Sequence, residues 1–171
     1  MIELAPGLVW RDKNVLPVDL IAAAKQIVES GPEPQPSYGR WEKEFTYQAP
    51  PIMLNDLAGD LRALILGTAL EKFNLSGIDF NACGCIYTRF TEQAYIPWHS
   101  DDEYRYAITI YVTPDWEVDW GGWLLYEHDK RRYAVGPEFN TAVMLKTPIP
   151  HAVVPSTQRA APRTSIQIFV P

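Results

Sequence analysis

A histidine and an aspartate two residues apart, His99 and Asp101, are the first residues in this sequence whose spacing suggests chemistry. They end a strand-like run, and because side chains alternate along a strand, positions two apart point to the same side. An imidazole and a carboxylate on one side are two of the three ligands in the 2-His-1-carboxylate arrangement that holds non-haem Fe(II). The pair alone is a weak signal, since aspartate is common. The rest of the chain must supply a second histidine and a cosubstrate anchor.

His151 is the better of the two remaining candidates for the second histidine. It follows Pro150 and begins an apolar strand-like run, whereas His128 lies in a charged turn typical of a solvated surface. A strand-end histidine on its own is more often structural than a ligand. However, a separation of 52 residues from His99 suits a jelly roll, in which two distant strands meet at one mouth.

Arg163 and Ser165 open the last strand-like run and share a face by the same alternation. Three protein ligands on one side of Fe(II) leave positions open for a bidentate 2-oxo acid and dioxygen. The distal carboxylate of such an acid needs a charge partner, and arginine offers a bidentate fork to which a hydroxyl adds a hydrogen bond. The alternative is that Arg163 faces solvent on an edge strand.

Two helices and eight short strands are predicted around these residues. Pro17 opens the first helix and Gly31 ends it, while Asn55 is the expected N-cap of a second helix that continues to about Phe73. Between the helices, the proline-rich and aromatic residues 32–51 exclude a helix and indicate a lid or a substrate wall, with a linker as the alternative. The strand-like runs have no helices between them, which predicts two packed sheets, a jelly roll. They are residues 83–90, 95–99, 105–113, 123–127, 132–135, 141–146, 151–155 and 163–170.

Length and composition favour one domain of 171 residues, with a helical and lid region at about 1–80 and the jelly-roll core at about 81–171. The net charge of -6 argues against a phosphate backbone as partner. Cys83 and Cys85 share a strand face and are expected to be reduced thiols. No secretory signal and no apolar run of about 18 residues are found, so we expect a cytoplasmic protein without a membrane partner.

Several motifs taken together resemble the 2-oxoglutarate and Fe(II)-dependent dioxygenases, most closely the prolyl-hydroxylase-like branch. The resemblance covers about residues 80–171 and matches motifs in order and spacing. After His99-x-Asp101 come the run 110–116, the Gly-Gly turn in 120–126, the segment 135–140, His151 and Arg163-x-Ser165. It implies an all-β core with N-terminal helices (α+β), in which a double-stranded β-helix (jelly roll) carries two flanking α-helices.

The resemblance also implies roles for individual residues. His99, Asp101 and His151 would ligate Fe(II), and Arg163 would anchor the 2-oxoglutarate C5 carboxylate with help from Ser165. O2 would be the second cosubstrate. In related halogenases a small residue replaces the carboxylate ligand, so the presence of Asp101 indicates a hydroxylase.

The chain departs from the family pattern at Phe90, where many relatives carry a tyrosine whose hydroxyl reaches 2-oxoglutarate. That hydroxyl is missing here, so the cosubstrate contacts must differ. Thr88 and Tyr111 are the candidates to replace it.

The leading hypothesis is hydroxylation of an unactivated C–H bond in an amino-acid-like or peptidyl substrate, a prolyl residue among them, with release of succinate and CO2. Trp98, Tyr38 and Trp41 are candidate walls of the substrate site. Residues 98–103 also resemble the iron motif of AlkB-type nucleic-acid demethylases, but residues 1–80 carry 7 basic and 11 acidic side chains, a poor surface for phosphates. The third hypothesis is a non-catalytic, cupin-like metal-binding or ligand-binding protein.

Overall fold

The structure is a computed structural model that describes residues 1–30, 35–37, 52–157, 160 and 162–171, with residues 35–37 described by their backbone. Tyr38 and Trp41, the two candidate substrate-wall residues of the proline-rich segment, lie outside the described residues. The helices are α1 (Val18–Ser30) and α2 (Gly59–Lys72). The strands are β1 (Ile2–Ala5), β2 (Val9–Lys13), β3 (Gln35–Ser37), β4 (Ile52–Asp56), β5 (Gly84–Phe90), β6 (Ile96–His99), β7 (Tyr106–Tyr111), β8 (Leu124–His128), β9 (Arg131–Val135), β10 (Thr141–Lys146), β11 (His151–Val153) and β12 (Arg163–Val170).

Two antiparallel sheets form the core. The larger sheet has the strand order β1-β2-β10-β7-β12-β5-β4-β3, and the smaller sheet has the order β6-β11-β8-β9. The eight strands predicted from residue 83 onward are all present, within a few residues of their expected bounds. The predicted fold class, a jelly roll with two flanking helices, is therefore confirmed.

The larger sheet has a hydrophobic face on each side. On β12, Ile166, Ile168 and Val170 pack in the cluster that α1 and α2 cover. On the opposite face of β12, Arg163 and Gln167 line a cavity between the two sheets. This alternation follows from the two-residue period of a strand, and it places Arg163 and Gln167 inside the jelly roll.

The first helix begins where the sequence predicts, since Pro17 directly precedes it and its carbonyl accepts the amides of Leu20 and Ile21. The prediction that Asn55 caps the second helix is wrong. Asn55 lies in β4 opposite Tyr87 of β5, and α2 begins at Gly59 without a side-chain cap. Pairing with a neighbouring strand, a long-range interaction, outweighed the local preference of asparagine for a helix cap.

Cys83 and Cys85 are both buried, free thiols, and burial raises the pKa of Cys85 to about 12. Within the described residues, no helix has the length and apolar character needed to cross a membrane.

Candidate active site

Three side chains at one end of the smaller sheet converge on a single point. His99 ends β6 and His151 begins β11, and the two residues are directly paired across these strands. Asp101 follows β6 and lies 3.8 Å from His99 Nε2 and 3.4 Å from His151 Nε2 through its two carboxylate oxygens. The ligand atoms of all three lie within 4.8 Å of one another. Two imidazoles and one carboxylate in this arrangement are the donor set of a non-haem iron site.

Backbone carbonyls orient both imidazole rings. His99 Nδ1 lies 2.8 Å from the carbonyl of Pro97, and His151 Nδ1 lies 2.9 Å from the carbonyl of Ile149. A proton on Nδ1 makes each of these a hydrogen bond and leaves the Nε2 lone pair available for a metal ion. The residue two positions before each histidine therefore determines which nitrogen faces the ligand cluster.

The three residues open into a cavity of about 30 Å³ between the sheets, which is room for an ion with a water molecule. Arg163 lines the same cavity, together with Thr109 and Gln167, which the sequence analysis missed. Thr109 on β7 is the direct partner of Gln167 on β12. Strand alternation could have found both, because each lies two residues along its strand from a residue singled out, Tyr111 and Ser165 respectively.

Arg163 is the only fully buried cation among the described residues, with 1% of its surface exposed. Its guanidinium lies over the rings of Phe90 and Tyr111, at 4.5 and 5.1 Å from their centroids. Its Nε and Nη1 have no hydrogen-bond partner, and burial lowers the pKa of the group. Burying an arginine with unpaired donors destabilises the folded protein unless an anion accepts hydrogen bonds from those donors. The surroundings of Arg163 therefore fit a carboxylate ligand.

The hydroxyl of Tyr111 is also buried; it forms no hydrogen bond of good geometry, and the guanidinium of Arg163 is the polar group close enough to interact with it. Burial raises the pKa of Tyr111, and the nearby Arg163 charge offsets part of that rise. The hydroxyl thus stays protonated and can donate to the same anion as the guanidinium. Phe90, where the resemblance predicts a tyrosine, contributes its ring face to Arg163.

Thr88 and Ser165, the other two candidate cosubstrate contacts, face each other across β5 and β12. Both are buried, and their hydroxyl oxygens are 2.7 Å apart. The Thr88 hydroxyl also lies 3.1 Å from the Ser165 carbonyl, so the two side chains satisfy each other. Neither residue lines the cavity that Arg163 lines, and Thr109 is the hydroxyl-bearing residue that does.

The Gly-Gly turn before β8 lies directly against Arg163. Gly122 has a φ of 66°, and a Cβ atom placed on it would lie 3.0 Å from both Arg163 Cδ and Trp116 Cζ2. Gly121 has a φ of 74°, and a Cβ there would lie 2.5 Å from the Pro155 carbonyl. This close packing supports the interpretation of the Gly-Gly pair as a structural turn. A side chain at either position would collide with Arg163 and Trp116 or with the Pro155 carbonyl.

Two remaining residues lie away from the cavity. Trp98, a candidate substrate wall, is 38% exposed, and Arg132 stacks on its ring at 5.3 Å. His128 lies 3.3 Å from Asp129 in the turn after β8, as expected for a surface histidine.

Comparison with known proteins gives matches to one family. A family profile described as the 2OG-Fe(II) oxygenase superfamily matches residues 85–171. The chain is similar to a prolyl-4-hydroxylase of Pseudomonas putida, with 19% identity and a TM-score of 0.72 over 98% of this chain and 94% of that one. No curated protein sequence gives a significant match.

Two further solved structures have the same fold. A Trichoplax adhaerens prolyl hydroxylase, in complex with a peptide fragment of the oxygen degradation domain of hypoxia inducible factor, has 17% identity and a TM-score of 0.73 over 96% of this chain and 84% of that one. A viral collagen prolyl hydroxylase of Paramecium Bursaria Chlorella virus-1, in a 2OG complex, has 11% identity and a TM-score of 0.69 over 96% of both chains.

The family profile covers more than half of the chain and includes His99, Asp101, His151 and Arg163. The superfamily is one of dioxygenases that use Fe(II), 2-oxoglutarate and O2, so the cofactors predicted from sequence are confirmed at the level of the family. This chain belongs to the 2OG-Fe(II) oxygenase superfamily.

Proposed function

We propose that this dioxygenase hydroxylates a prolyl residue in a peptide, with His99, Asp101 and His151 holding Fe(II) and Arg163 anchoring 2-oxoglutarate. The observation that carries the proposal is one cavity that two kinds of group line together. They are a two-histidine, one-carboxylate cluster and a fully buried arginine with unpaired donors.

Asp101 supplies the negative charge that a divalent cation needs beside two neutral imidazoles. The Pro97 and Ile149 carbonyls fix the ring orientations of the histidines, so both Nε2 atoms face the carboxylate before any ion arrives. This preorganisation removes much of the ordering cost of metal binding.

Arg163 and Tyr111 together recognise the far carboxylate of 2-oxoglutarate. The guanidinium offers the Nε and Nη1 donors, and the tyrosine offers its hydroxyl, all three buried and without a hydrogen bond of good geometry. Charge-assisted hydrogen bonds of this kind are stronger than neutral ones. A monocarboxylic 2-oxo acid, which leaves these donors empty, should therefore be a poor cosubstrate.

Apolar side chains line the cavity beside the cluster and limit the access of water; they include Ile96, Leu124, Leu145, Val153 and Phe169. When bound, the iron with 2-oxoglutarate and dioxygen supplies the oxidation of a C–H bond, coupled to decarboxylation of 2-oxoglutarate to succinate and CO2. A 2-oxo diacid needs more room than about 30 Å³, so we expect these side chains to separate when it binds.

A peptidyl substrate is supported by the similarity to prolyl hydroxylases, one of which binds a peptide fragment. Trp98 lies immediately before His99 and stays 38% exposed beside the guanidinium of Arg132, so a peptide ring could pack against it. The cytoplasm is the proposed location, because two free thiols suit a reducing compartment.

Succinate release tests the substrate class. The purified protein is supplied with Fe(II) and 2-oxoglutarate and offered proline-containing peptides, free amino acids or methylated oligonucleotides, with the Asp101→Ala variant as the inactive control. We expect turnover with a prolyl peptide, and a mass gain of one oxygen on that peptide. Turnover with oligonucleotides alone would overturn the prolyl assignment and favour demethylation.

A second measurement separates an enzyme from a non-catalytic binding protein. Fe(II) is added under anaerobic conditions, followed by 2-oxoglutarate, and the visible metal-to-ligand charge-transfer band is recorded. We expect the band in the natural protein and none in Asp101→Ala. Its absence from the natural protein would contradict the proposed ligand set.

A further inference from the structure

Strand β9 (Arg131–Val135) lies at an edge of the smaller sheet, on the side away from the iron ligands. Within the part of the chain that the structure describes, it pairs with β8 and with no other strand. Its first four residues are all exposed. An exposed edge with unpaired backbone groups can accept a further strand.

The hairpin geometry shows which backbone groups of β9 face outward. Asp129 and Lys130 form a two-residue turn with φ values of 50° and 60°, which is the type I′ pattern. The flanking pair, His128 and Arg131, is then a hydrogen-bonded pair, and such pairs alternate with non-hydrogen-bonded ones along the ladder. Arg132 and Ala134 occupy the non-hydrogen-bonded positions, so their N–H and C=O groups point away from β8.

A cavity of about 470 Å³ adjoins the far end of β9. Trp116, Val118 and Trp123 line it together with Ala134, so its wall is continuous with the strand edge. The volume lies in the range of pockets that hold small ligands or large side chains. On its rim, Glu138 is neutralised by Arg11 at 2.6 Å and Lys13 at 2.8 Å.

The other end of β9 is positively charged, although the chain carries a net charge of -6. Lys130, Arg131 and Arg132 are consecutive and exposed. Arg132 is engaged by Glu127 at 3.4 Å, whereas Lys130 and Arg131 form no ion pair with the described residues. An incoming segment would therefore meet backbone donors and acceptors, an aromatic cavity and two free cations along one line.

We propose that β9 and the Trp116–Trp123 cavity form a docking groove for an extended, acidic peptide segment of a partner protein. The segment pairs with the backbone of Arg132 and Ala134, places an apolar side chain in the cavity and sets carboxylates against Lys130 and Arg131. A second copy of this chain is a poorer occupant, because β9 against β9 would bring arginines together. The backbone edge of β9 is set apart from the iron ligands, since β8 lies between β9 and the His151 strand, but the Arg132 side chain stacks on Trp98 beside His99.

The probe is a fluorescein-labelled decapeptide that alternates glutamate with valine or leucine, and binding is followed by fluorescence anisotropy. Ala134→Pro removes the outward N–H at an edge position that tolerates proline, while β8 pairing is kept. Arg131→Glu reverses a free cation. Lys25→Glu on α1 is the matched control, because it makes the same charge change on a distant surface.

We expect saturable binding that is at least about tenfold weaker in Ala134→Pro and in Arg131→Glu and is unchanged in Lys25→Glu. Amide chemical-shift changes on binding should centre on Arg132 and Ala134. No saturation up to about 1 mM peptide would overturn the proposal. So would binding that Ala134→Pro leaves intact, or equal affinity for a peptide with lysine in place of glutamate. A dimer that Ala134→Pro dissociates would instead identify the occupant as a second copy and refute the partner segment.

Discussion

Replacing Arg163 with methionine should stabilise the protein in the absence of 2-oxoglutarate and abolish its response to that ligand. Arg163 is 1% exposed, and two of its donors are unpartnered. Leaving a buried donor unsatisfied costs about 1–3 kcal/mol, more for a charged group. The cation–π contacts of its guanidinium with Phe90 and Tyr111 stabilise the folded protein by about 0.5–2 kcal/mol each. The buried Arg163 cation should therefore lower the free energy of unfolding of the protein when no 2-oxoglutarate is bound.

The magnitude follows from what replaces the charge. Exchanging buried ionic groups for apolar ones of similar volume gains about 1–4 kcal/mol. For a chain of 171 residues, one kcal/mol shifts the melting temperature by about 2–4 °C. We therefore expect Arg163→Met to melt roughly 2–16 °C higher than the natural protein when no ligand is present. With 2-oxoglutarate at about 100 times its Kd, the natural protein should gain about 2.7 kcal/mol and the variant nothing.

Differential scanning calorimetry with Mn(II), in the presence and absence of 2-oxoglutarate, measures both effects. Arg163→Lys is the matched control, because it keeps a buried charge and loses the bidentate fork. Arg163→Lys should bind 2-oxoglutarate weakly, and without ligand it should melt no higher than the natural protein. If Arg163→Met melts lower without ligand, or if 2-oxoglutarate still stabilises it, the interpretation of Arg163 as an unpaired carboxylate anchor is refuted.

Three further predictions concern other side chains. Asp101→Ala should lose Mn(II) binding, measured by isothermal titration, while the same change at the exposed neighbour Asp102 should retain it; equal binding by both would contradict the ligand assignment. Tyr111→Phe should weaken 2-oxoglutarate by about 1.5–3 kcal/mol, or about 10- to 150-fold in Kd, with metal affinity unchanged. Hydrogen bonds from Lys13 and Arg11 hold the pKa of Glu138 below its usual 4.5. The ionised Glu138 carboxylate therefore stabilises the folded protein above about pH 4.5, and this stabilisation is lost as the pH falls below that value. Glu138→Gln should therefore lose less stability in acid, as urea unfolding at several pH values would show.

The chemistry-bearing residues could be found from the sequence because each obeys a short-range rule. The spacing of His99 and Asp101 follows strand alternation, and so does that of Arg163 and Ser165. The pairing of His99 with His151 needed the jelly-roll hypothesis, and the structure places them opposite each other.

What the sequence missed depends on partners distant in the chain. Asn55 has the local character of a helix cap, but its segment pairs with β5, and no local pattern reveals that pairing. Ser165 was expected to assist Arg163, yet its hydroxyl is engaged by Thr88 on another strand. The two tryptophans of the cavity beside β9 are 7 residues apart in the sequence and carry no motif that would have joined them to Ala134.

Strand β6 is four residues long and is an edge strand that pairs with β11 alone among the described strands. Edge strands of this length open readily, and His99 and Asp101 move with it when it opens. A metal ion held jointly by β6 and by His151 of β11 would act as a cross-link between the two strands. Release of the ion and fraying of β6 would then be one event, so amide hydrogen exchange in β6 should report the lifetime of the bound metal.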